Sequence, residues 1–288
     1  MSTQLGAAPT KALRPVTIRN LQRFKQDGRK IVCLTAYDYT FARLVDSAGV
    51  DLILVGDSLG NVIQGHGTTL PVTLDDIIYH CRAVRRGLQR AHLVGDMPFM
   101  TYQISTEQAL TNAARLMQEG GCQSVKLEGG RERAEAVSRM VGAGIPVMGH
   151  LGLTPQSIHQ LGGHRVQGRD DESHTRILED ARILQEAGAY AIVLECVPEA
   201  LGAEITASLD IPTIGIGAGA DCDGQILVIQ DVLGLLGDFQ PRFVRRFANL
   251  GDAVIEALES YGDEVRAGSF PSARETYDPV AAEVAAAS

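Results

Sequence analysis

The sequence predicts a closed (β/α)8 TIM barrel, an α/β fold in which eight parallel strands alternate with helices. Short apolar runs rich in β-branched residues alternate regularly with amphipathic stretches along the chain. The runs number eight, which is the number of strands in such a barrel. With 288 residues and a hydrophobic content of 45%, the chain is long enough for one such domain with a large core.

The eight candidate strands are short and almost wholly apolar, as expected of parallel strands that are covered on both faces. In chain order they are residues 31–35, 52–55, 93–95, 124–127, 146–149, 191–194, 213–216 and 226–229. An open doubly wound sheet is the alternative architecture. The regular spacing of eight strand–helix units favours the closed barrel.

Amphipathic patterns between the runs predict the helices. Residues 105–108 read S-T-E-Q, a capping box, and apolar residues then recur at helical spacing over 110–117. Gly188 suits the end of the helix before the sixth strand, because glycine readily adopts the left-handed cap. We expect an extra N-terminal helix over 17–26 to cover the bottom of the barrel, and a closing helix near 254–261.

The limits of the periodic pattern predict the domain organisation. We predict a single barrel domain over residues 17–270, preceded by a flexible segment, 1–16, and followed by a C-terminal tail, 271–288. The first segment lacks the apolar stretch of a secretory signal. One connection, 151–171, is longer than the others and rich in glycine, which is typical of a lid or a binding loop. A plain surface excursion is the alternative.

The composition opposes several classes of protein. A net charge of −9 and a pI near 5.3 argue against a nucleic-acid partner, which requires a basic surface. No apolar run approaches the roughly 18 residues of a membrane span. The five cysteines are odd in number and form no C-x-x-C pair, so neither a disulfide framework nor a cysteine zinc site is expected. We therefore expect a protein of the reducing cytoplasm with no membrane partner.

Acidic side chains follow three successive candidate strands. Asp57, Asp96 and Glu128 stand at the carboxyl ends of the second, third and fourth strands, where barrels of this kind hold their active sites. A few carboxylate ligands, with room for water and substrate, suit Mg²⁺. A helix cap at Asp57 and a turn at Asp96 are the structural alternatives. Three such residues in succession favour a metal site, with Glu128 as a third ligand or as a support for the ligands.

Three further polar residues complete the candidate site. Lys126 lies two residues before Glu128, on the same side of the strand, and suits a substrate carboxylate or enolate oxygen; an imine is the alternative. Glu195 follows the sixth strand, across the barrel, and is a candidate general base or a partner in an internal salt bridge. His150 follows the fifth strand and is a candidate for substrate orientation, proton relay or a structural role.

Two other features have competing explanations. Residues 215–219, G-I-G-A-G, follow the seventh strand, where many barrels bind phosphate, but glycines there also allow close backbone packing. Cys196 adjoins Glu195, and it is either a reactive thiol or a packed core residue.

Seven stretches together resemble the ketopantoate hydroxymethyltransferase (3-methyl-2-oxobutanoate hydroxymethyltransferase) family. They are LTAYDY at 34–39, LVGDSLG at 54–60, TLPVT at 69–73, GDMPF at 95–99, VKLEG at 125–129, GHLGLTPQ at 149–156 and GIGAG at 215–219. The resemblance extends from about residue 17 to about residue 250. It implies a barrel of the phosphoenolpyruvate/pyruvate superfamily type.

The resemblance also implies an activity. A one-carbon unit is transferred from 5,10-methylenetetrahydrofolate to 3-methyl-2-oxobutanoate through a Mg²⁺-stabilised enolate, which gives 2-dehydropantoate and tetrahydrofolate in the first step of pantothenate biosynthesis. The implied site residues are Asp57 and Asp96 with Glu128 for the metal, Asp57, Ser58, Asp96 and Lys126 for the substrate, and Glu195 as the catalytic base. The family also implies a homo-oligomer, often a decamer.

Other functions fit some of the same residues. A metal-dependent C–C lyase or mutase for phosphoenolpyruvate-like or isocitrate-like substrates would share the metal–enolate chemistry, and a Schiff-base aldolase would use Lys126. Dependence on folate separates these enzymes from the transferase. A barrel that only binds a small acid would have no use for a base, so exchange of the substrate proton would exclude it.

Overall fold

The computed structural model describes residues 14–237 and 240–277. Most of the predicted N-terminal segment, at 1–13, and most of the predicted tail, at 278–288, lie outside the described residues. Contacts divide the chain into two compact units. The first holds the described residues up to Ile229 together with Pro241–Val244, and the second holds those of Gln230–Gln240 and those from Arg245 onwards. The single domain over 17–270 stays a prediction.

Eight parallel strands form a closed barrel in chain order, β1 to β8, which confirms the predicted fold class. The strands are β1 Ile31–Thr35, β2 Leu52–Val55, β3 His92–Asp96, β4 Ser124–Glu128, β5 Val147–Gly152, β6 Ala191–Glu195, β7 Thr213–Ile216 and β8 Gly224–Leu227. The helices are α1 Ile18–Gln26, α2 Tyr39–Ser47, α3 Leu59–Val62, α4 Leu74–Gly87, α5 Thr106–Gln118, α6 Ala134–Gly142, α7 Ile158–Leu161, α8 Asp171–Glu186, α9 Glu199–Ser208, α10 Ile229–Leu233 and α11 Leu250–Ala267.

The predicted bounds of β1, β2 and β7 agree with the structure, whereas those of β8 were wrong by two residues. β8 begins at Gly224, which pairs with Ile31 of β1 and Ile214 of β7. A Cβ at Gly224 would lie 2.6 Å from the carbonyl oxygen of Ile31, so the close approach of the strands requires glycine there. A search for apolar runs therefore missed the start of this strand, and Ile229 begins α10 instead.

One cluster of buried apolar side chains lies within the barrel, and α1 packs against it. Leu21 of α1 is buried in one cluster with Ile31, Leu52 and Ile214 of the strands. The helix begins after Thr17, whose side chain accepts a hydrogen bond from the backbone N–H of Asn20 and forms a capping box with that residue. The predicted N-terminal helix therefore exists and contributes to the core.

Local sequence signals also set the other helices. Ser105 caps α5 by accepting a hydrogen bond from the N–H of Gln108, 3.1 Å away, as the S-T-E-Q pattern predicts. The second unit contains α11, an 18-residue helix that spans the predicted closing segment. In the part of the chain that the structure describes, no helix is both long enough and apolar enough to cross a membrane.

Candidate active site

Strands β3 to β6 each carry a predicted site residue in the barrel ladder itself. Parallel pairing places Asp96 of β3 opposite Lys126 of β4, and Glu128 of β4 opposite His150 of β5. Glu195 is the last residue of β6. The structure therefore brings these residues to the same carboxyl end of the barrel, as predicted. All except Glu195 are buried, and Glu195 is partly exposed.

Short contacts link these side chains in a row across the barrel mouth. Lys126 Nζ lies 2.9 Å from Asp96 Oδ1 and 3.3 Å from His150 Nδ1. His150 Nδ1 also lies 3.4 Å from Glu128 Oε1, which is long for a strong hydrogen bond, and His150 Nε2 lies 3.2 Å from Glu195 Oε2. The imidazole thus stands between two carboxylates, one on each ring nitrogen.

The charges around His150 favour its protonated form. Burial and the Lys126 charge lower its pKa, but contacts with Glu128 and Glu195 outweigh them and raise the pKa to about 9. The contacts on the two ring nitrogens are ion pairs outside hydrogen-bond geometry, because neither His150 Nε2 nor Glu128 Oε1 has a hydrogen-bond partner among the described residues. The charge of the ring therefore favours a Glu195 carboxylate that lies beside Nε2.

Lys126 is also held in its charged form. Burial lowers the pKa of its ammonium group, but the charges of Asp96, Glu128 and Asp57 outweigh burial and raise it above its ordinary value. An imine requires the neutral amine, so these surroundings oppose the Schiff-base alternative.

Asp57 lies two residues beyond β2, next to Asp96. The backbone N–H of Asp57 donates to Asp96 Oδ2 at 3.0 Å. Burial, followed by the charges of Asp96 and Glu128, raises the pKa of Asp57 well above its usual value, and burial raises that of Asp96 although Lys126 opposes it. The carboxylates therefore repel one another in a buried place, and a divalent cation would offset this repulsion.

The carboxylate oxygens of the site fit a hard cation that takes its other ligands from water and substrate. Among the described residues, no three His, Cys, Asp or Glu side chains are arranged closely enough to hold a metal ion by themselves. Asp57 and Asp96 offer buried carboxylate oxygens. The buried Oε1 of Glu128 has no hydrogen-bond partner in the described part of the chain, and its contact with His150 Nδ1 is 3.4 Å long. Mg²⁺ commonly takes one or two carboxylates and fills its remaining positions with water and substrate. The residues fit such a site, in which Asp57 and Asp96 would hold the ion, Glu128 would be associated with it, and ligands from outside the protein would complete its coordination.

Ser58 follows Asp57 at the start of α3, on the same side of the barrel. Its Oγ lies 2.8 Å from the hydroxyl of Tyr37, which is buried in the connection after β1. His80 Nδ1 contacts the carbonyl oxygen of Tyr37 at 2.6 Å. Sequence reasoning missed Tyr37, although it lies within one of the seven family motifs.

Gln156 and Tyr102 are the other residues that sequence reasoning missed. Both are buried, and their side chains join the carboxylates of the site. Gln156 Nε2 donates to Asp57 Oδ2 at 2.9 Å, and the Tyr102 hydroxyl donates to Gln156 Oε1 at 2.6 Å. The signal for Gln156 was its place in the GHLGLTPQ motif. We see no comparable sequence signal for Tyr102.

The connection over 151–171 is more regular than a loop. β5 continues to Gly152, a 3₁₀ turn forms at Pro155–Ser157, and α7 follows. Gly152 has φ +91, and a Cβ there would lie 2.2 Å from the carbonyl oxygen of Glu195. Leu153 N–H donates to that same oxygen at 2.8 Å. The start of the connection is therefore fastened to the end of β6, beside the candidate base.

The structure favours the packing explanation for both the glycine stretch and Cys196. A Cβ at Gly217 would lie 3.1 Å from the ring of Phe243, and one at Gly219 would lie 2.5 Å from the side chain of Glu199. Burial, followed by the Glu195 charge, raises the pKa of the Cys196 thiol to about 11. A thiol that stays protonated is a poor nucleophile.

Comparison with known proteins identifies the family. The sequence model described as ketopantoate hydroxymethyltransferase matches residues 15–273. The 3-methyl-2-oxobutanoate hydroxymethyltransferase of Prosthecochloris aestuarii (strain DSM 271 / SK 413) is 55% identical over 272 residues, which cover 93% of this chain and 98% of that protein. The enzyme of the same name from Anaeromyxobacter sp. (strain Fw109-5) is 56% identical over 269 residues, covering 92% of this chain and 88% of that protein.

Solved structures with low sequence identity share the fold. Phosphonopyruvate hydrolase, in a complex with oxalate and Mg²⁺, aligns with a TM-score of 0.59 at 12% identity, over 90% of this chain and 92% of that chain. A 2,3-dimethylmalate lyase of the PEP mutase/isocitrate lyase superfamily aligns with a TM-score of 0.59 at 16% identity, over 90% and 91%. The resemblance noted from the seven motifs is confirmed, and the chain belongs to the ketopantoate hydroxymethyltransferase family of enzymes.

Proposed function

We propose that this site transfers a hydroxymethyl group to 3-methyl-2-oxobutanoate in the first step of pantothenate biosynthesis. The C3–H bond of the oxo acid breaks, and a C–C bond forms between C3 and the methylene carbon of 5,10-methylenetetrahydrofolate. Both bonds from the methylene carbon to the folate nitrogens N5 and N10 break, and water supplies the hydroxyl group on that carbon. The proton from C3 and the remaining proton of water are taken up by the two nitrogens, so the products are 2-dehydropantoate and tetrahydrofolate. The two relatives carry the name of this enzyme, and they are 55% and 56% identical to the chain.

One observation carries the proposal: Glu195 stands apart from Asp57 and Asp96, with His150 and Lys126 between them. A general base must be free of the cation that stabilises the product of deprotonation. Glu195 is also the member of the row that remains partly exposed, so a substrate can reach it.

The residues of the chain have separate roles in this proposal. Glu195 accepts the C3 proton, and His150 orients its carboxylate through the 3.2 Å contact. Lys126 offsets the negative charge that develops on the oxo acid, which is an electrostatic contribution of the oxyanion-hole kind. Ser58 contacts the substrate beside Asp57.

The proposed metal is Mg²⁺, held by Asp57 and Asp96 and associated with Glu128. When bound, it supplies a Lewis acid that stabilises negative charge on the oxo acid and orients it. Two features support this assignment: the repulsion among the buried carboxylates, and the lack of a hydrogen bond to Glu128 Oε1 within the described residues.

The assembly and location of the protein are proposed from the resemblance. We propose a cytoplasmic homo-oligomer, often a decamer in the family. Apolar side chains exposed on α11, among them Ile255, Leu258 and Tyr261, support association with further copies.

The test is proton NMR of 3-methyl-2-oxobutanoate with the protein in D₂O, with and without Mg²⁺. We expect Mg²⁺-dependent loss of the C3 proton signal, and product only after methylenetetrahydrofolate is added. Glu195→Gln should reduce the exchange about 10²–10⁴-fold. The exposed Glu204, changed to Gln, is the matched control and should leave the exchange unchanged.

Two outcomes would contradict the proposal. Normal exchange in Glu195→Gln would remove Glu195 as the base. Exchange by the unchanged protein without any folate-dependent product would instead favour a lyase or mutase of the same fold.

A further inference from the structure

Gln156 reaches the candidate site from the connection after β5. It lies in the 3₁₀ turn Pro155–Ser157 and is 4% exposed, which is unusual for a polar side chain in a connection. The N–H groups in the first turn of a helix have no partner within that helix. The N–H of Gln156 donates instead to Glu128 Oε2 at 3.1 Å.

Gln156, Tyr102 and Glu128 form a closed ring of three hydrogen bonds. The N–H of Glu128 donates to the Tyr102 hydroxyl at 3.1 Å, and that hydroxyl donates to Gln156 Oε1 at 2.6 Å. The N–H of Gln156 completes the ring at Glu128 Oε2. The ring ties the connection after β5 to the end of β4.

The side-chain amide of Gln156 also holds Asp57. Its Nε2 donates to Asp57 Oδ2 at 2.9 Å and to the carbonyl oxygen of Met97 at 3.0 Å. Gln156 therefore restrains one oxygen of Asp57 and one of Glu128. Asp57 Oδ1 and Glu128 Oε1 have no hydrogen bond to Gln156.

We propose that Gln156 is a positioning residue that presents Asp57 and Glu128 to the divalent metal, with one oxygen of each held and the other offered. This inference rests on the proposed function and extends it to a residue outside the expected ligand set. It also assigns the start of the long connection a role in metal affinity.

The chemistry of the network requires an amide at this position. Gln156 must accept a hydrogen bond from Tyr102 and donate to Asp57 at the same time. A carboxylate at position 156 would place an oxygen against Asp57 Oδ2. A thioether there could neither accept strongly from Tyr102 nor donate to Asp57. Partners that orient metal ligands in this way typically change metal affinity or activity about 10–100-fold when removed.

The test compares Gln156→Met, which keeps the side-chain length, with Tyr102→Phe, which opens the ring but keeps the amide on Asp57. Mn²⁺ affinity is measured by electron paramagnetic resonance without substrate, and the melting temperature is measured by circular dichroism. We expect Gln156→Met to weaken Mn²⁺ binding about 10–100-fold and Tyr102→Phe to weaken it less.

Gln185→Met is the matched control. The Oε1 of Gln185 accepts hydrogen bonds from the N–H groups of Asp210 and Ile211, so this variant loses a buttressing amide away from the site. It should lower the melting temperature without changing the dissociation constant for Mn²⁺. This separates positioning from a general loss of stability.

Unchanged Mn²⁺ affinity in both Gln156→Met and Tyr102→Phe would overturn the positioning role of Gln156 but would leave the proposed metal site intact. Tyr102→Phe keeps the inference testable if Gln156→Met does not fold. Failure of the unchanged protein to bind Mn²⁺ would overturn the proposed metal site itself, and the positioning role with it.

Discussion

We expect the buried His92 to make the folded protein less stable in acid, by an amount that follows from its surroundings. His92 begins β3 and is 2% exposed. Its Nε2 lies 2.9 Å from Ser124 Oγ, and its ring packs edge-on against Tyr190 with centroids 5.9 Å apart. Burial in these surroundings lowers the pKa of the imidazole from 6.5 to about 4.

The sign follows from proton linkage. Because the folded protein binds this proton less readily than the unfolded chain, the unfolded state gains protons first as the pH falls below 6.5. The contribution of the neutral His92 to the free energy of unfolding is therefore fully present above pH 6.5 and is lost progressively between pH 6.5 and 4. At ~1.4 kcal/mol for each pKa unit, the complete loss is about 3 kcal/mol, of which about 2 kcal/mol is already lost at pH 5.

The measurement is urea unfolding at pH 7.5 and pH 5, for the unchanged protein and for His92→Gln. The variant keeps an amide to contact Ser124 but cannot titrate. We expect the unchanged protein to lose about 2 kcal/mol more than the variant between the two pH values. Other groups, including the buried Asp57 and Asp96, titrate in both proteins and cancel in this difference. The exposed His164, changed to Gln, should behave like the unchanged protein. Equal losses in His92→Gln and the unchanged protein would refute the reasoning.

Three other experiments test the candidate site and the backbone beside Glu195. Asp96→Ala should weaken Mg²⁺ binding in calorimetry because it removes a buried carboxylate. Asp75→Ala, on the exposed face of α4, is the control and should leave the affinity unchanged. Unaltered affinity in Asp96→Ala would exclude Asp96 as a ligand. Borohydride should trap no adduct of substrate with Lys126, because its surroundings stabilise the ammonium form; a trapped adduct would establish imine chemistry. Gly152→Ala should cost about 1–3 kcal/mol in unfolding free energy because of its φ of +91, and should slow C3 exchange by displacing the backbone of Glu195. Gly142→Ala, where a Cβ has open space, is its control, and a Gly152 variant as stable as that control would contradict the argument.

The alternation of buried runs with amphipathic helices was sufficient to predict the barrel. Parallel strands covered on both faces must be apolar along their whole length, so β1, β2 and β7 were recognised at their observed bounds. The predicted bounds of β8 were displaced by two residues because the strand begins at Gly224, where the close approach of Ile31 requires glycine. That neighbour is distant in the sequence, so no local pattern could report it.

The residues at the strand ends were also predictable, because the carboxyl ends of parallel strands meet at one face. Asp96, Lys126, Glu128, His150 and Glu195 lie in the ladder, and their proximity follows from strand order alone. Whether the long connection was a lid or a plain excursion could not be decided in this way. Its first residues are fastened to the end of β6 by a contact that only the folded chain creates.

The sequence by itself therefore determined the barrel, the family and the residues that end the strands, because each is written in local periodicity or in contiguous motifs. Only the tertiary structure decided how those residues are held. Gln156 contacts Asp57 across 99 positions of sequence, and Tyr102 contacts Gln156 across 54. Hydrogen bonds of this kind depend on the paths of two separate connections, and those paths are set by packing over the whole barrel rather than by the residues beside them.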